Sequence, residues 1–162
     1  MPDSTGIFDN QAGWGGTVTE YLREPGQRLL ESLQRYHSAV MAMPPDAQQV
    51  QAWRSCDLLL KRALREVVSL RPPASRWTIL FEYVLPRERG RRPDVVVLAD
   101  DTVLVLEFKD FSRPSISHRD QVDAYARDIA HYHAASHARV VLPILVMTQR
   151  KDTSIKIGRA HV

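Results

Sequence analysis

Two apolar runs separated by a short polar tip form the clearest pattern in the chain. Residues 95–99 and 102–106 are apolar apart from one threonine, and Asp100-Asp101 lies between them. Runs rich in valine and leucine on either side of a polar dipeptide are typical of two antiparallel strands joined by a tight turn. Because the second run is apolar on both faces, it is predicted to be a central, covered strand of a sheet.

The predicted hairpin would bring three charged side chains together. Folding about the tip pairs Ala99 with Thr102, and the same register places Asp94 opposite Glu107. Opposite Cβ atoms lie about 4.5–5.5 Å apart, and facing like charges destabilise a sheet unless a cation lies between them. Side chains alternate along a strand, so Lys109 is expected on the same face as Glu107. This row suits a hard divalent cation; the alternative is that the charges only fray into solvent at the strand ends.

Helical patterns precede the hairpin. A capping-box spacing begins at Thr17, and a helix with apolar residues at helical intervals follows Pro25 and ends before Pro44-Pro45. Asp46 is the predicted cap of a second helix, which stops before Pro72-Pro73. The stripe of this second helix includes Trp53, Cys56, Leu60, Ala63 and Val67.

The remaining patterns predict two more strands and a third helix. Residues 77–85 read as the first strand, residues 117–120 open the helix, and residues 140–147 form a last, almost wholly apolar strand. A strand that follows a helix most simply returns parallel to an earlier strand by a right-handed crossover. The expected order is ααβββαβ, an α/β protein with a mixed sheet flanked by helices and an extra N-terminal helical segment.

Composition is typical of a globular intracellular protein. The chain has 162 residues, of which 44% are hydrophobic, and no apolar stretch approaches the roughly 18 residues of a membrane helix. The first sixteen residues lack the layout of a signal peptide. We therefore expect a cytoplasmic protein without a membrane partner. Cys56 is the only cysteine, which excludes an internal disulfide, and we expect it to be a buried small hydrophobe.

Positive charge is concentrated just before Asp94. The formal net charge of +3 and the pI near 9.2 are a mild excess that suits a polyanion. Four arginines stand in the short loop before the aspartate: Arg87, Arg89, Arg91 and Arg92. Beside the acids they would suit a phosphate backbone, whereas a merely solvated loop is the plainer interpretation of the arginines alone.

A third carboxylate is expected from the first strand. If the arginine loop closes with Leu85 opposite Arg91, Glu82 falls opposite Asp94 and extends the row across three strands. A slip by one residue would turn Glu82 to the other face. Glu66, late in the second helix, competes as an extra ligand, although a solvated glutamate is the commoner explanation for it. We rank Glu82 above Glu66.

The third helix carries two further candidates. Gln121 and Tyr125 lie four residues apart and share one side of that helix, so both could reach the acids; Tyr125 also fits the core stripe. His133 and His137 have the spacing of a helical metal-binding pair, but no third ligand is evident. We interpret them, together with His131, as a polar helix end.

These residues carry a resemblance to a known family. Glu82, Pro93-Asp94 and Glu107-Phe108-Lys109 resemble the motif of the PD-(D/E)XK nuclease superfamily, and Gln121-x-x-x-Tyr125 is similar to the motif of its RecB-like branch. The element order predicted from Asp46 onward matches the restriction-endonuclease-like core of that superfamily. More narrowly, the chain resembles the N-terminal segment of bacterial proteins that join such a domain to a Schlafen-related, helicase-like P-loop ATPase.

The resemblance implies a nuclease with a divalent metal. Mg²⁺ or Mn²⁺ would be held by Asp94, Glu107, the main-chain carbonyl of Phe108 and Glu82, and Lys109 would orient water or neutralise charge. The four loop arginines, Gln121 and Tyr125 would contact substrate, with DNA favoured over RNA. Two alternatives stay open, a nucleic-acid-binding module that cleaves nothing and a protein-interaction domain.

The expected domain organisation is that of a fragment. Residues 1–45 would be a helical extension, 46–150 the nuclease-like domain and 151–162 a non-native or disordered tail, because apolar periodicity ends there. The sequence after residue 156 looks like a translated sequencing adapter. No Gly-x-x-x-x-Gly-Lys-Ser/Thr motif occurs, so we expect the ATPase to be missing from a truncated protein. A native stop codon after Val162 at the genomic locus would refute the truncation.

Overall fold

The chain divides into two compact units, residues 1–82 and 83–162. The computed structural model describes residues 11–85, 91–110, 115–132, 136–148, 156–157 and 160–161. The helices on either side of residue 45 both belong to the first unit, where they contact one another. The predicted domain bounds of 1–45, 46–150 and 151–162 stay a prediction.

The strands of the first unit form an antiparallel pair. Strand β1 (Trp14–Thr17) pairs with β2 (Thr78–Phe81), with Trp14 opposite Phe81. The sequence did not indicate β1, because its two glycines interrupt any apolar alternation. Gly16 is required by packing, since a Cβ atom there would lie 2.8 Å from the Trp14 ring. The predicted first strand, 77–85, is too long, because β2 ends at Phe81.

Within its described residues, the first unit has three α-helices where the expected order has two, because a short helix forms at the predicted capping box before the two predicted helices. Helix α1 (Val18–Arg23) has the predicted capping box: Thr17 Oγ1 accepts from Glu20 N at 3.2 Å, and Glu20 Oε2 accepts from Thr17 N at 2.6 Å. Helix α2 (Gly26–Met41) begins after Pro25 as predicted.

Helix α3 (Ala47–Leu70) is capped by Asp46, whose Oδ1 accepts from Gln49 N at 2.7 Å. A short 3₁₀ helix, Pro72–Arg76, follows it. Trp53, Cys56 and Leu60 of the predicted stripe are buried, but Ala63 is exposed. The prediction for Ala63 was wrong because Leu64, one residue later, is the residue that is buried on this turn of the helix.

A buried polar cluster joins α1 to α3. Tyr21 is fully buried, and its hydroxyl donates to Asp57 Oδ1 at 2.9 Å. Lys61 Nζ lies 3.1 Å from the same oxygen and donates to the Glu24 carbonyl at 2.7 Å. Each charged group is thus partnered, as burial of charge requires.

The second unit contains the predicted hairpin. Strands β3 (Val95–Ala99) and β4 (Thr102–Lys109) are antiparallel, and Ala99 lies opposite Thr102 as the sequence predicted. Asp100 at the tip has a positive φ of 51°, a conformation that Asp tolerates better than most residues.

A helix and two strands complete the second unit. Helix α4 (Ile116–Tyr132) packs on β4 and on β5 (Val140–Met147), which runs parallel to β4 as predicted. The helix begins before the predicted residue 117, because Ser115 Oγ accepts from His118 N at 3.2 Å. Strand β6 (Lys156–Ile157) pairs antiparallel with β5, so part of the expected tail belongs to the sheet.

The architecture is α/β, with a mixed open sheet and helices, as expected. Within the described residues, no helix has both the length and the apolar composition needed to cross a membrane.

Candidate functional site

Asp94 and Glu107 lie at the open end of the hairpin. The predicted register is confirmed as far as Val95 opposite Leu106, and one further step places Asp94 opposite Glu107. A two-residue tip makes Ala99 and Thr102 a hydrogen-bonded pair, so pairs an odd number of steps away are not hydrogen-bonded. At such pairs the Cα atoms are only about 4.5 Å apart and the side chains are closest.

Lys109 is tied to Glu107 by an ion pair. Lys109 Nζ lies 2.8 Å from Glu107 Oε1, and the side chains are 23% and 4% exposed. Burial alone would lower the pKa of Lys109, but Glu107, then Asp94 and Tyr125, outweigh burial and raise it above its ordinary value. The amine is therefore an ammonium throughout the neutral range, beside two carboxylates.

The Asp94 carboxylate continues the hairpin where the main-chain ladder ends. Its Oδ2 accepts from Phe108 N at 2.7 Å. In the same register Pro93 lies opposite Phe108, and proline has no N–H to donate to the Phe108 carbonyl. The hydrogen bond from Phe108 N therefore fixes the position of Asp94 Oδ2. Because Pro93 has no N–H, it forms no main-chain hydrogen bond with the Phe108 carbonyl, which is the carbonyl predicted as a metal ligand.

Helix α4 brings two predicted residues to this cluster. Gln121 Nε2 donates to Tyr125 OH at 2.9 Å, and the Arg91 guanidinium lies 5.3 Å from the centre of the Tyr125 ring. Burial raises the pKa of Tyr125 most; Gln121 and Arg91 lower it, while Glu107 and Asp94 raise it. The Tyr125 hydroxyl is therefore influenced electrostatically by both carboxylates.

Glu82 is placed differently from the prediction. It follows β2 with a positive φ of 53°, so no strand continues through it and the register argument for its place opposite Asp94 fails. Its carboxylate is buried in the first unit, where Oε1 accepts from Trp53 Nε1 at 2.9 Å. Its role as a metal ligand rests on the resemblance alone. The competitor, Glu66, is exposed on α3.

The arginine loop is described only in part. Leu85 N donates to the Arg91 carbonyl at 3.2 Å, so the predicted pairing of these residues is confirmed. Arg91 is exposed and Arg92 is half-buried. Arg87 and Arg89 lie outside the described residues.

The sequence did not indicate the contact that fixes the end of β4. Thr148 N donates to the Lys109 carbonyl at 3.0 Å, and Thr148 Oγ1 lies 2.9 Å from Asp110 Oδ1. Both residues directly follow the ends of two parallel strands, where ligand sites of α/β proteins form. The position of Asp110 and Thr148 directly after two strands could have indicated their contact, but only if β4 and β5 were known to be neighbours.

The oxygen atoms of Asp94, Glu107 and the Phe108 carbonyl are of the type that Mg²⁺ binds in proteins. Magnesium binds one or two carboxylates and usually keeps several waters, which matches Asp94, Glu107 and the Phe108 carbonyl. Within the described residues, no group of three or more His, Cys, Asp or Glu side chains is placed to hold a metal. His131 and His137 contact main-chain carbonyls at 2.9 and 3.1 Å, and His133 lies outside the described residues.

Comparison with known proteins gives no match: no family model, no curated protein and no solved structure is similar to the chain. What the chain does is therefore inferred from its own residues.

Proposed function

We propose that the chain is a metal-dependent nuclease domain of the PD-(D/E)XK type that hydrolyses phosphodiester bonds in nucleic acid. The supporting observation is the 2.8 Å ion pair of Lys109 with Glu107 on a strand whose register brings Asp94 opposite Glu107. Two carboxylates and an ammonium in a partly buried cluster, next to an exposed arginine, can serve both a cation and a phosphate. The mixed sheet is compatible with a restriction-endonuclease-like core.

Asp94, Glu107 and the Phe108 carbonyl would hold Mg²⁺ or Mn²⁺. When bound, the metal supplies a hydroxide nucleophile near neutral pH and stabilises charge on the leaving oxygen. The hydrogen bond from Phe108 N to Asp94 Oδ2 holds the Asp94 carboxylate beside the Phe108 main chain, so both proposed ligand residues lie at the same end of the hairpin.

Lys109 serves as a charge and not as a base in this proposal. Its pKa is raised by Glu107 and Asp94 despite burial, so the amine stays protonated at neutral pH. An ammonium there donates hydrogen bonds to a non-bridging phosphate oxygen and offsets charge that develops on the phosphorus centre.

Tyr125 and the arginines would hold the substrate. Because Gln121 Nε2 donates to the Tyr125 hydroxyl oxygen, the phenolic proton is directed elsewhere and is available to a phosphate oxygen. The loop arginines Arg87, Arg89, Arg91 and Arg92 would contact the strand backbone, since guanidinium matches phosphate geometry. DNA as the substrate, a cytoplasmic location and a P-loop ATPase as a further domain of a longer protein belong to the same proposal.

A nucleic-acid-binding module that does not cleave is the second candidate. The observation that favours it is that the Lys109 ammonium already neutralises Glu107. Because the ammonium offsets one of the two carboxylate charges, the cluster depends less on a metal ion for its stability.

A cleavage assay tests the proposal. Purified protein is incubated with labelled single- and double-stranded DNA and RNA, in Mg²⁺, Mn²⁺ or EDTA, beside Asp94→Asn and Lys109→Met variants. Asp101→Asn, which removes an exposed carboxylate from the tip of the same hairpin, is the matched control. The nuclease predicts metal-dependent cleavage that is lost in both site variants and kept in the control.

The other outcomes separate the candidates. If the protein binds nucleic acid in EDTA and cleaves it with neither Mg²⁺ nor Mn²⁺, the chain is the binding module. Neither binding nor cleavage would exclude both and leave a protein-interaction domain.

A further inference from the structure

One face of α3 carries exposed arginines that the candidate site does not use. Arg54, Arg62 and Arg65 are exposed, and Leu58, which lies among them, is 72% exposed. At 3.6 residues per turn the four positions fall within an arc of about 80°. These four residues are called the arginine face below.

The core of the first unit lies on the other side of this helix. Trp53, Leu60 and Leu64 are buried, and the helical repeat places them well away from the arginine face. The three arginines therefore lie outside the buried core of the first unit, and their side chains are exposed to solvent.

The charge of the arginine face is not balanced locally. Among the described residues, none of the three arginines has a carboxylate within ion-pair distance, and Glu66, four residues after Arg62, forms no ion pair with it. Asp57 is turned into the core, where it pairs with Lys61. Arg62 and Arg65 are three residues apart, a spacing at which like charges repel.

We propose that the arginine face binds the phosphate backbone of nucleic acid, as a second contact surface besides the loop before Asp94. This inference rests on the proposed function, because it concerns the same substrate. From Arg54 to Arg65 the face extends about 16 Å along the helix axis, which suits an extended polyanion better than a single anionic group. Guanidinium groups bind phosphate well, and the total charge of the chain is positive.

The test is a salt titration of binding with the full chain. Affinity for a labelled DNA duplex is measured by fluorescence anisotropy in EDTA over a series of salt concentrations. The variant is Arg54→Gln, Arg62→Gln and Arg65→Gln combined. The control combines Arg23→Gln, Arg28→Gln and Arg35→Gln, which removes the same charge from exposed positions on α1 and α2.

The expected result is a smaller salt slope in the first variant alone. Loss of three phosphate contacts reduces the slope of log K against log salt by about 2.7, whereas the control keeps the wild-type slope. Equal slopes in the two variants would overturn the inference, because net charge alone would then explain binding. A wild-type chain that does not bind the duplex would also overturn it.

Two further measurements separate this inference from binding of an acidic protein and from the proposed nuclease activity. If the arginine-face variant loses binding to polyglutamate while its duplex binding is unchanged, the arginine face binds an acidic protein and the nucleic-acid contact is refuted.

Metal-dependent cleavage at saturating substrate tests the nuclease separately. A chain that cleaves, with equal slopes in both variants, refutes only the arginine face. A chain that binds with a face-dependent slope and never cleaves refutes only the nuclease. Thermal unfolding of all variants checks that these exposed substitutions leave the fold intact.

Discussion

At the residue scale, Asp94 holds the open end of the hairpin through the hydrogen bond from Phe108 N to its carboxylate, and the same carboxylate is a proposed metal ligand. Asn at this position keeps an oxygen acceptor for Phe108 N, whereas Ala removes it. We predict that Asp94→Ala lowers the free energy of unfolding by about 1–2 kcal/mol more than Asp94→Asn does. Urea unfolding measures this difference, and both variants should lose metal-dependent cleavage. Equal stability of the two variants would show that the hydrogen bond at 2.7 Å contributes little.

Lys109 gives a second prediction at this scale. Its ammonium lies beside Glu107, so it would repel a metal ion bound to the same carboxylate. Lys109→Met keeps the side-chain length and removes the charge. We expect Mn²⁺ to bind this variant about tenfold more tightly than wild type, the equivalent of about 1.4 kcal/mol of removed repulsion. Isothermal titration calorimetry measures the affinity.

Lys109→Arg is the matched control, since it retains the positive charge and should bind Mn²⁺ like wild type. Unchanged or weaker Mn²⁺ binding in Lys109→Met would mean that the ammonium does not compete for Glu107.

At the scale of elements, the hairpin was predictable because its signals are local. The two apolar runs and the two-residue polar tip between them determine the register, and the period of two places Lys109 on the face of Glu107. Strand β1 was not predictable, since it depends on packing that admits Gly16 beside Trp14. The end of β2 depends on a positive φ at Glu82, a conformation that is uncommon for glutamate.

The residues of the candidate site likewise include some that local sequence could predict and some that it could not. Gln121 and Tyr125 followed from helical spacing, which local sequence specifies. Thr148 did not, because its contact with Lys109 exists only once β5 lies parallel to β4. Residue pairs far apart in sequence need the strand order before they can be matched.

The hairpin tip provides the prediction for an element. Asp100 has a φ of 51°, and a β-branched residue is poorly tolerated in this left-handed region. Asp100→Val should therefore lower the free energy of unfolding by about 1–2 kcal/mol more than Asp100→Asn does, because Asn tolerates this region. Asp101→Val, at the exposed neighbouring position, is the control for the added apolar surface. Equal losses for the two valine variants in urea unfolding would contradict the prediction.

At the scale of the whole molecule, the buried Tyr21 makes stability depend on alkaline pH. Burial first, then the Asp57 charge, raises the pKa of Tyr21 far above its ordinary value of 10.0. The folded chain therefore keeps the phenol proton at a pH where the unfolded chain releases it. The stabilisation from this residue is complete below pH 10 and is lost progressively above it.

Tyr21→Phe removes this dependence together with the hydrogen bond to Asp57. Below pH 10 we expect wild type to be more stable by about 1–3 kcal/mol. Above pH 10 that advantage should shrink by up to about 1.4 kcal/mol per pH unit. Urea unfolding of both proteins across a pH series measures it, and a constant difference on both sides of pH 10 would contradict the assignment.

The bond from Phe108 N to Asp94 Oδ2 also turns one amide into a resident spectroscopic probe. Its proton resonance senses the charge state and direction of the Asp94 carboxylate, so a cation arriving there should shift this NMR signal. Amides near the middle of the same strand, held by neighbouring main chains, should stay where they are. Occupancy of the cluster is thus readable in solution from a single backbone amide of the ¹⁵N-labelled protein, without any substrate.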